Sequence, residues 1–89
     1  MSSQRILERI LSAVVELKPD WTAPEPEEAL KLNMLEDLKL DSLDVINLLF
    51  TLEEEFDVKI PEPDIDAHNL YVIGNLVRYI GDASAPANP

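Results

Sequence analysis

The sequence predicts an all-α four-helix bundle, with three longer helices, a short third helix and a long first loop. Three observations carry that prediction. Apolar residues recur at helical spacing in three separate stretches. The prolines, at 19, 24, 26, 61, 63, 86 and 89, fall outside those stretches, as helix interiors require. No stretch reads as a β-strand. With 89 residues the chain suffices for one domain with a small core. The domain is expected over residues 1–81, and DASAPANP at 82–89 is expected to be a disordered tail, having nothing to bury.

Each element has its own signals. Ile6, Leu7, Ile10, Leu11, Val14 and Leu17 form one apolar stripe, which predicts a helix over residues 3–18. Ser2 or Ser3 can cap it, and Pro19 stops it. From Pro19 to about Leu40, Trp21, Pro24 and Pro26 break any period. A helical turn around Glu27–Leu32 interrupts this loop, which Trp21, Leu30, Leu32, Met34, Leu35, Leu38 and Leu40 pin to the core. Val45, Leu49, Leu52 and Phe56 then lie at i, i+4, i+7 and i+11, one face of a helix running from the Asp41 cap to about Glu55. Residues 61–67 have room for a short helical turn. Leu70, Ile73, Leu76, Val77 and Ile80 mark the last helix, with Gly81 as its C-terminal cap. Gly74 inside that stripe costs about 1 kcal/mol relative to alanine.

Charge and composition narrow the function. Eighteen acidic against seven basic residues give a formal charge of −11. That balance argues against nucleic acid and anionic membranes and for partners with basic surfaces. There is no cysteine and one histidine, His68, which leaves no thiol nucleophile, no cysteine metal site and no material for a catalytic triad. His68 reads as a surface or helix-start residue. The segment from Asp64 has two early acids but lacks the glycine and the final glutamate of a calcium loop. The N-terminal MSSQRILERILSAVVELK carries Arg5, Glu8, Arg9 and Glu16, so it lacks the apolar run of a signal peptide or a membrane span. The expectation is a cytoplasmic monomer that does not insert into membranes.

The chemically suggestive residues converge on LKLDSLDVINLLFTLEEEFDVKIP. With Asp41 as N-cap, Ser42 takes the first helical position and its hydroxyl is free to face solvent. A phosphate attached there would meet open backbone N–H groups and the positive end of the helix dipole. Asp-Ser-Leu alone is weak, arising by chance in roughly a few per cent of chains this long. Its surroundings add specificity. Leu38-Lys39-Leu40-Asp41-Ser42-Leu43-Asp44, followed by Leu52-Glu53-Glu54-Glu55-Phe56 and Ile60-Pro61, resembles the acyl carrier protein family. The resemblance spans roughly residues 3–81 and is most specific between 35 and 61.

That resemblance implies a four-helix fold and no catalytic residues of the chain's own. Ser42 would carry a covalent 4'-phosphopantetheine arm, installed from coenzyme A by a phosphopantetheinyl transferase. The arm would supply the thiol that the chain lacks, so that acyl intermediates are held as thioesters. Asp41, Leu43, Asp44, Asn47, Glu53 and Glu54 would dock acyl-transferring and acyl-modifying enzymes through their basic patches. Val45, Ile46, Leu49, Leu52, Phe56 and Ile73 would line an acyl-chain pocket, although apolar residues at helical spacing are core by default.

Departures from the family bear on the pathway. Lys39 stands where the family usually has glycine, Asn47 replaces a docking glutamate, and the segment after Pro61 is longer by about two residues. A specialised lipid or secondary-metabolite pathway is therefore as well supported as housekeeping fatty-acid synthesis. The stretch Leu70-Tyr71-Val72-Ile73-Gly74-Asn75-Leu76 also resembles carriers dedicated to unusual long acyl chains. The competing reading is an acidic helical interaction module without a prosthetic group, which accounts for the charge but not for Ser42 and its context.

Overall fold

The computed structural model describes residues 3–83. It contains helices α1 (Ser3–Leu17), α2 (Pro26–Ala29), α3 (Ser42–Phe56), α4 (Glu62–Ala67) and α5 (Ile73–Ala83), and no strand among the described residues. The chain is thus all-α, with three long helices and two short ones. Asp82 and Ala83, expected in the tail, belong to α5. Residues 84–89, the rest of that expected tail, and the candidate cap Ser2 lie outside the described residues.

The apolar stripes meet in a single core. Ile6, Leu7, Ile10 and Val14 of α1 are buried against α5 and α3. From α3 come Val45, Leu48, Leu49, Leu52 and Phe56, and from α5 Ile73, Leu76, Val77 and Ile80. Leu17, expected at the end of the α1 stripe, is exposed, because the stripe drifts off the core-facing side at the last turn. At its ends α3 follows its sequence signals. Asp41 has extended φ/ψ and its Oδ1 accepts the Asp44 N–H at 2.9 Å, the geometry of an N-cap. The helix ends one residue later than expected. Asp57 adopts a left-handed conformation (φ 54°), and the N–H groups of Asp57 and Val58 both return to the Glu53 carbonyl.

The three long helices contain no proline, as expected, and two prolines lie in the first turns of the short ones. Pro26 opens α2, and Pro63 is in the first turn of α4. The N–H that proline lacks would be unpaired at those positions anyway. For the same reason the α2 turn begins at Pro26, earlier than predicted, and ends at Ala29.

The long first loop is fixed mainly by its backbone. The N–H groups of Ile73 and Gly74, which open α5 and have no intrahelical acceptor, donate to Leu32 O at 2.9 Å and Leu30 O at 2.8 Å. Met34 N–H donates to Tyr71 O at 2.8 Å, and Asn33 forms an isolated antiparallel bridge with Val72. The loop carbonyls therefore cap α5. Met34, Leu38 and Leu40 are buried, and Leu32, Leu35 and Trp21 pack partly against the core. The Leu30 side chain, also expected to pin the loop, is exposed; its carbonyl does the anchoring instead.

This loop also moves the start of α5. Leu70 is fully buried but lies outside the helix, because Asn69 has positive φ and the loop takes up residues 71–72. Gly81, expected as the C-terminal cap, is an interior residue of α5.

Candidate functional site

The turn before α3 fixes Ser42. Leu38 and Leu40 are buried on either side of Lys39, while Leu38 N–H donates to Asn33 O and Leu40 N–H to Met34 O. Asn33 is held in turn: its Oδ1 accepts the N–H groups of Leu35 and Glu36, and its own N–H donates to Asp37. The chain thus enters α3 from a braced turn. Ser42 is the first residue of the helix and is exposed. Its hydroxyl makes no hydrogen bond with any described residue. The Asp41 side chain takes the Asp44 N–H, and the backbone N–H groups of Ser42 and Leu43 have no acceptor among the described residues. An accessible hydroxyl beside two open donors, at the positive end of a 15-residue helix, fits a phosphodiester.

The residues expected at a docking surface divide into groups. Asp41, Asn47 and Glu54 are exposed, Asp44 is half-buried, and the Leu43 side chain is 71% exposed. Glu53 is partly committed elsewhere. Its Oε2 accepts the Ile60 N–H at 2.6 Å, which ties the end of α3 to the approach to α4. Glu55 forms an ion pair with Arg9 of α1. That bond and charge hold the Glu55 carboxyl below the ordinary carboxylate value.

Sequence reasoning missed Phe50, which is 58% exposed. It lies two turns beyond Leu43, with Asn47 between them and Glu54 beyond, all on the side of α3 opposite the buried stripe. The signal was available, since Phe50 falls outside the Val45–Leu49–Leu52–Phe56 spacing. An exposed phenylalanine beside an exposed leucine makes a small apolar strip within an acidic surface.

The six residues expected to line an acyl pocket come together in part. Val45, Leu49, Leu52, Phe56 and Ile73 are buried in the common core, while Ile46 is half-buried at its edge. The open clefts are elsewhere. One, between α4 and α5, is lined by His68, Asn75, Arg78 and Tyr79; another is lined by Leu7, Leu30, Gly74 and Val77. His68 is exposed and caps the C-terminal end of α4 rather than starting a helix. Its ring lies 5.4 Å from that of Tyr79. The Tyr79 hydroxyl donates to Asp64 Oδ2 at 2.5 Å, and this bond to a carboxylate pushes the phenol up to about 12.

Among the described residues, no group of His, Asp and Glu could hold a metal ion, and no helix is long and apolar enough to cross a membrane. The family model described as the phosphopantetheine attachment site matches residues 6–80, from within α1 to within α5. Domains of this family carry acyl groups and do not catalyse reactions themselves. The chain belongs to the phosphopantetheine attachment-site family, and its domain is one to which 4'-phosphopantetheine is covalently joined.

Proposed function

We propose that Ser42 carries the 4'-phosphopantetheine group and that residues 1–81 act as a monomeric, cytoplasmic acyl carrier. On this reading α1, α3, α4 and α5 are the four helices of the carrier bundle, and α2 is a turn within its long first loop. The observation that carries the assignment is the exposed Ser42 hydroxyl at the first position of α3, beside the open N–H groups of Ser42 and Leu43. When bound, the group supplies a terminal thiol that holds an acyl unit as a thioester.

The chain's own contribution is presentation. No described residue accepts a hydrogen bond from the Ser42 hydroxyl, so the base that takes its proton belongs to the transferase. The braced 33–40 turn and the Asp41 cap hold the hydroxyl where a large partner can reach it. Asp41, Asp44 and Glu54 draw basic patches of that partner and of acyl-handling enzymes, while Leu43, Asn47 and Phe50 form the centre of the contact. Charged contacts of this kind speed encounter and fade with salt. Glu53 retains one oxygen for docking. The Val45, Ile46, Leu49, Leu52, Phe56 and Ile73 side chains would separate to admit an acyl chain, in a fatty-acid or specialised lipid or secondary-metabolite pathway. The alternative of an interaction module without a prosthetic group accounts for the charge but leaves the family match over residues 6–80 unexplained.

The test is to incubate the purified chain and its Ser42→Ala variant with coenzyme A, magnesium and a broad-specificity phosphopantetheinyl transferase. Intact mass should rise by one phosphopantetheine in the wild type only, with circular dichroism unchanged by the substitution. A variant that still gains the mass would refute the assignment of Ser42.

A further inference from the structure

Three described residues other than glycine have positive φ: Lys39, Asp57 and Asn69. Two have local reasons. Asp57 is the left-handed cap of α3, and asparagine tolerates this region better than most residues. Lys39, at φ 61°, is neither a helix cap nor of a tolerant type. The turn imposes its conformation, because Leu38 and Leu40 both enter the core and the Leu38 and Leu40 N–H groups are bonded back to Asn33 and Met34. Lys39 is left exposed between them.

Its ammonium makes no hydrogen bond or ion pair with any described residue. It is also the only basic residue between Lys31 and Lys59. A strained backbone position with no packing or bonding role for its side chain points to function. Ser42 follows three residues later, at most about 11 Å along the backbone, within range of a lysine on its four-carbon stem.

Resting on the reading that Ser42 carries the prosthetic group, we propose that Lys39 is a positioning residue for it, its ammonium pairing with the phosphodiester on Ser42. A phosphodiester keeps one negative charge at neutral pH, and the serine that would carry it is flanked in sequence by the acids Asp41 and Asp44. The Ser42 and Leu43 N–H groups supply neutral donors on the helix side. Lys39 supplies the cation on the loop side, offsets the flanking acids and restrains the root of the arm.

The holo-protein contains a single phosphorus, so phosphorus-31 NMR reads this contact directly. Wild type, Lys39→Arg, Lys39→Gln and Lys39→Gly are loaded from coenzyme A and checked by intact mass, and the resonance is followed against salt. The Gly variant relieves the positive φ, which keeps a folding defect from confounding the result. The Gln and Gly variants should shift the resonance in one common direction and narrow it, and Arg should retain the wild-type position. The difference should fade between about 0.1 and 1 M salt, as the screening length falls from about 10 to 3 Å. Four superimposable resonances across that range would overturn the proposal. A wild-type chain that takes up no mass would instead refute the Ser42 reading on which it rests.

Discussion

The same substitution at two positions of α5 should change stability in opposite directions. A β-carbon built on Gly74 would lie 2.7 Å from the Leu30 carbonyl oxygen, whereas one on Gly81 would meet only Ile6 Cδ1, at 3.8 Å. The first contact is with backbone, which cannot rotate away. That carbonyl also accepts the Gly74 N–H at 2.8 Å, so moving it loosens the bond that joins the first loop to α5. Overpacking costs about 1–3 kcal/mol, and a weakened hydrogen bond adds up to about 1 kcal/mol. Alanine's helix propensity returns at most about 1 kcal/mol. The last two contributions are of similar size and offset each other, so the net loss for Gly74→Ala is about 1–3 kcal/mol, which lowers Tm by roughly 5–20 °C in a domain of this size. Gly81→Ala makes an ordinary contact and gains about 0.5–1 kcal/mol, raising Tm by a few degrees. Thermal unfolding of the two variants and the wild type, followed by circular dichroism, decides the matter. A neutral or stabilising Gly74→Ala, or changes of the same sign at both positions, would refute the account of how the loop is held.

Other predictions concern single contacts. Tyr79 has its phenol raised to about 12, so its bond to Asp64 stabilises the fold fully below the unfolded value near 10 and is lost as pH rises through about 12. Tyr79→Phe should cost about 1 kcal/mol at neutral pH and should remove the highest step of a phenolate absorbance titration. The Arg9–Glu55 pair works in the opposite direction with pH. Because the Glu55 carboxyl is lowered, its contribution is complete above the unfolded value of 4.5 and is lost as pH falls through the folded one. Glu55→Gln should cause a small loss of stability at neutral pH that shrinks with added salt, as denaturant titrations at two ionic strengths would show. Phe50→Ala, at a side chain 58% exposed, should leave stability within about 0.5 kcal/mol while slowing phosphopantetheinyl transfer; unchanged transfer kinetics would remove Phe50 from the docking surface.

Much of this was legible because local signals and packing agree. The Val45–Leu49–Leu52–Phe56 spacing and the Asp41 cap located α3 to within one residue at its C-terminal end and placed Ser42 at its first position. The first loop was harder, since its anchors are backbone groups. Leu30 was expected to anchor by its side chain, yet its carbonyl does so, and hydropathy says nothing about carbonyls. The same bonds delay the start of α5 to Ile73 although Leu70 belongs to the core. Gly81 was taken for a cap from residue type alone, but no positive φ is required there and α5 runs through it. Pro26 was read as breaking the period, although the first turn of a helix accepts proline. At the site, Phe50 was missed because its exposure lies outside the apolar spacing that periodicity reports. Lys39 was noted as standing where the family usually has glycine, but its positive φ is a backbone property that residue spacing does not report.

The central claim is that one serine carries the group, and locating the modification tests it most directly. Trypsin cleavage after Lys39 and Lys59 releases residues 40–59, in which Ser42 and Thr51 are the only hydroxyl side chains. Fragmentation of that peptide from the loaded chain should place the whole phosphopantetheine mass on fragments containing Ser42 and none on those containing only Thr51. The added mass on Thr51, or on a peptide outside residues 40–59, would contradict the account.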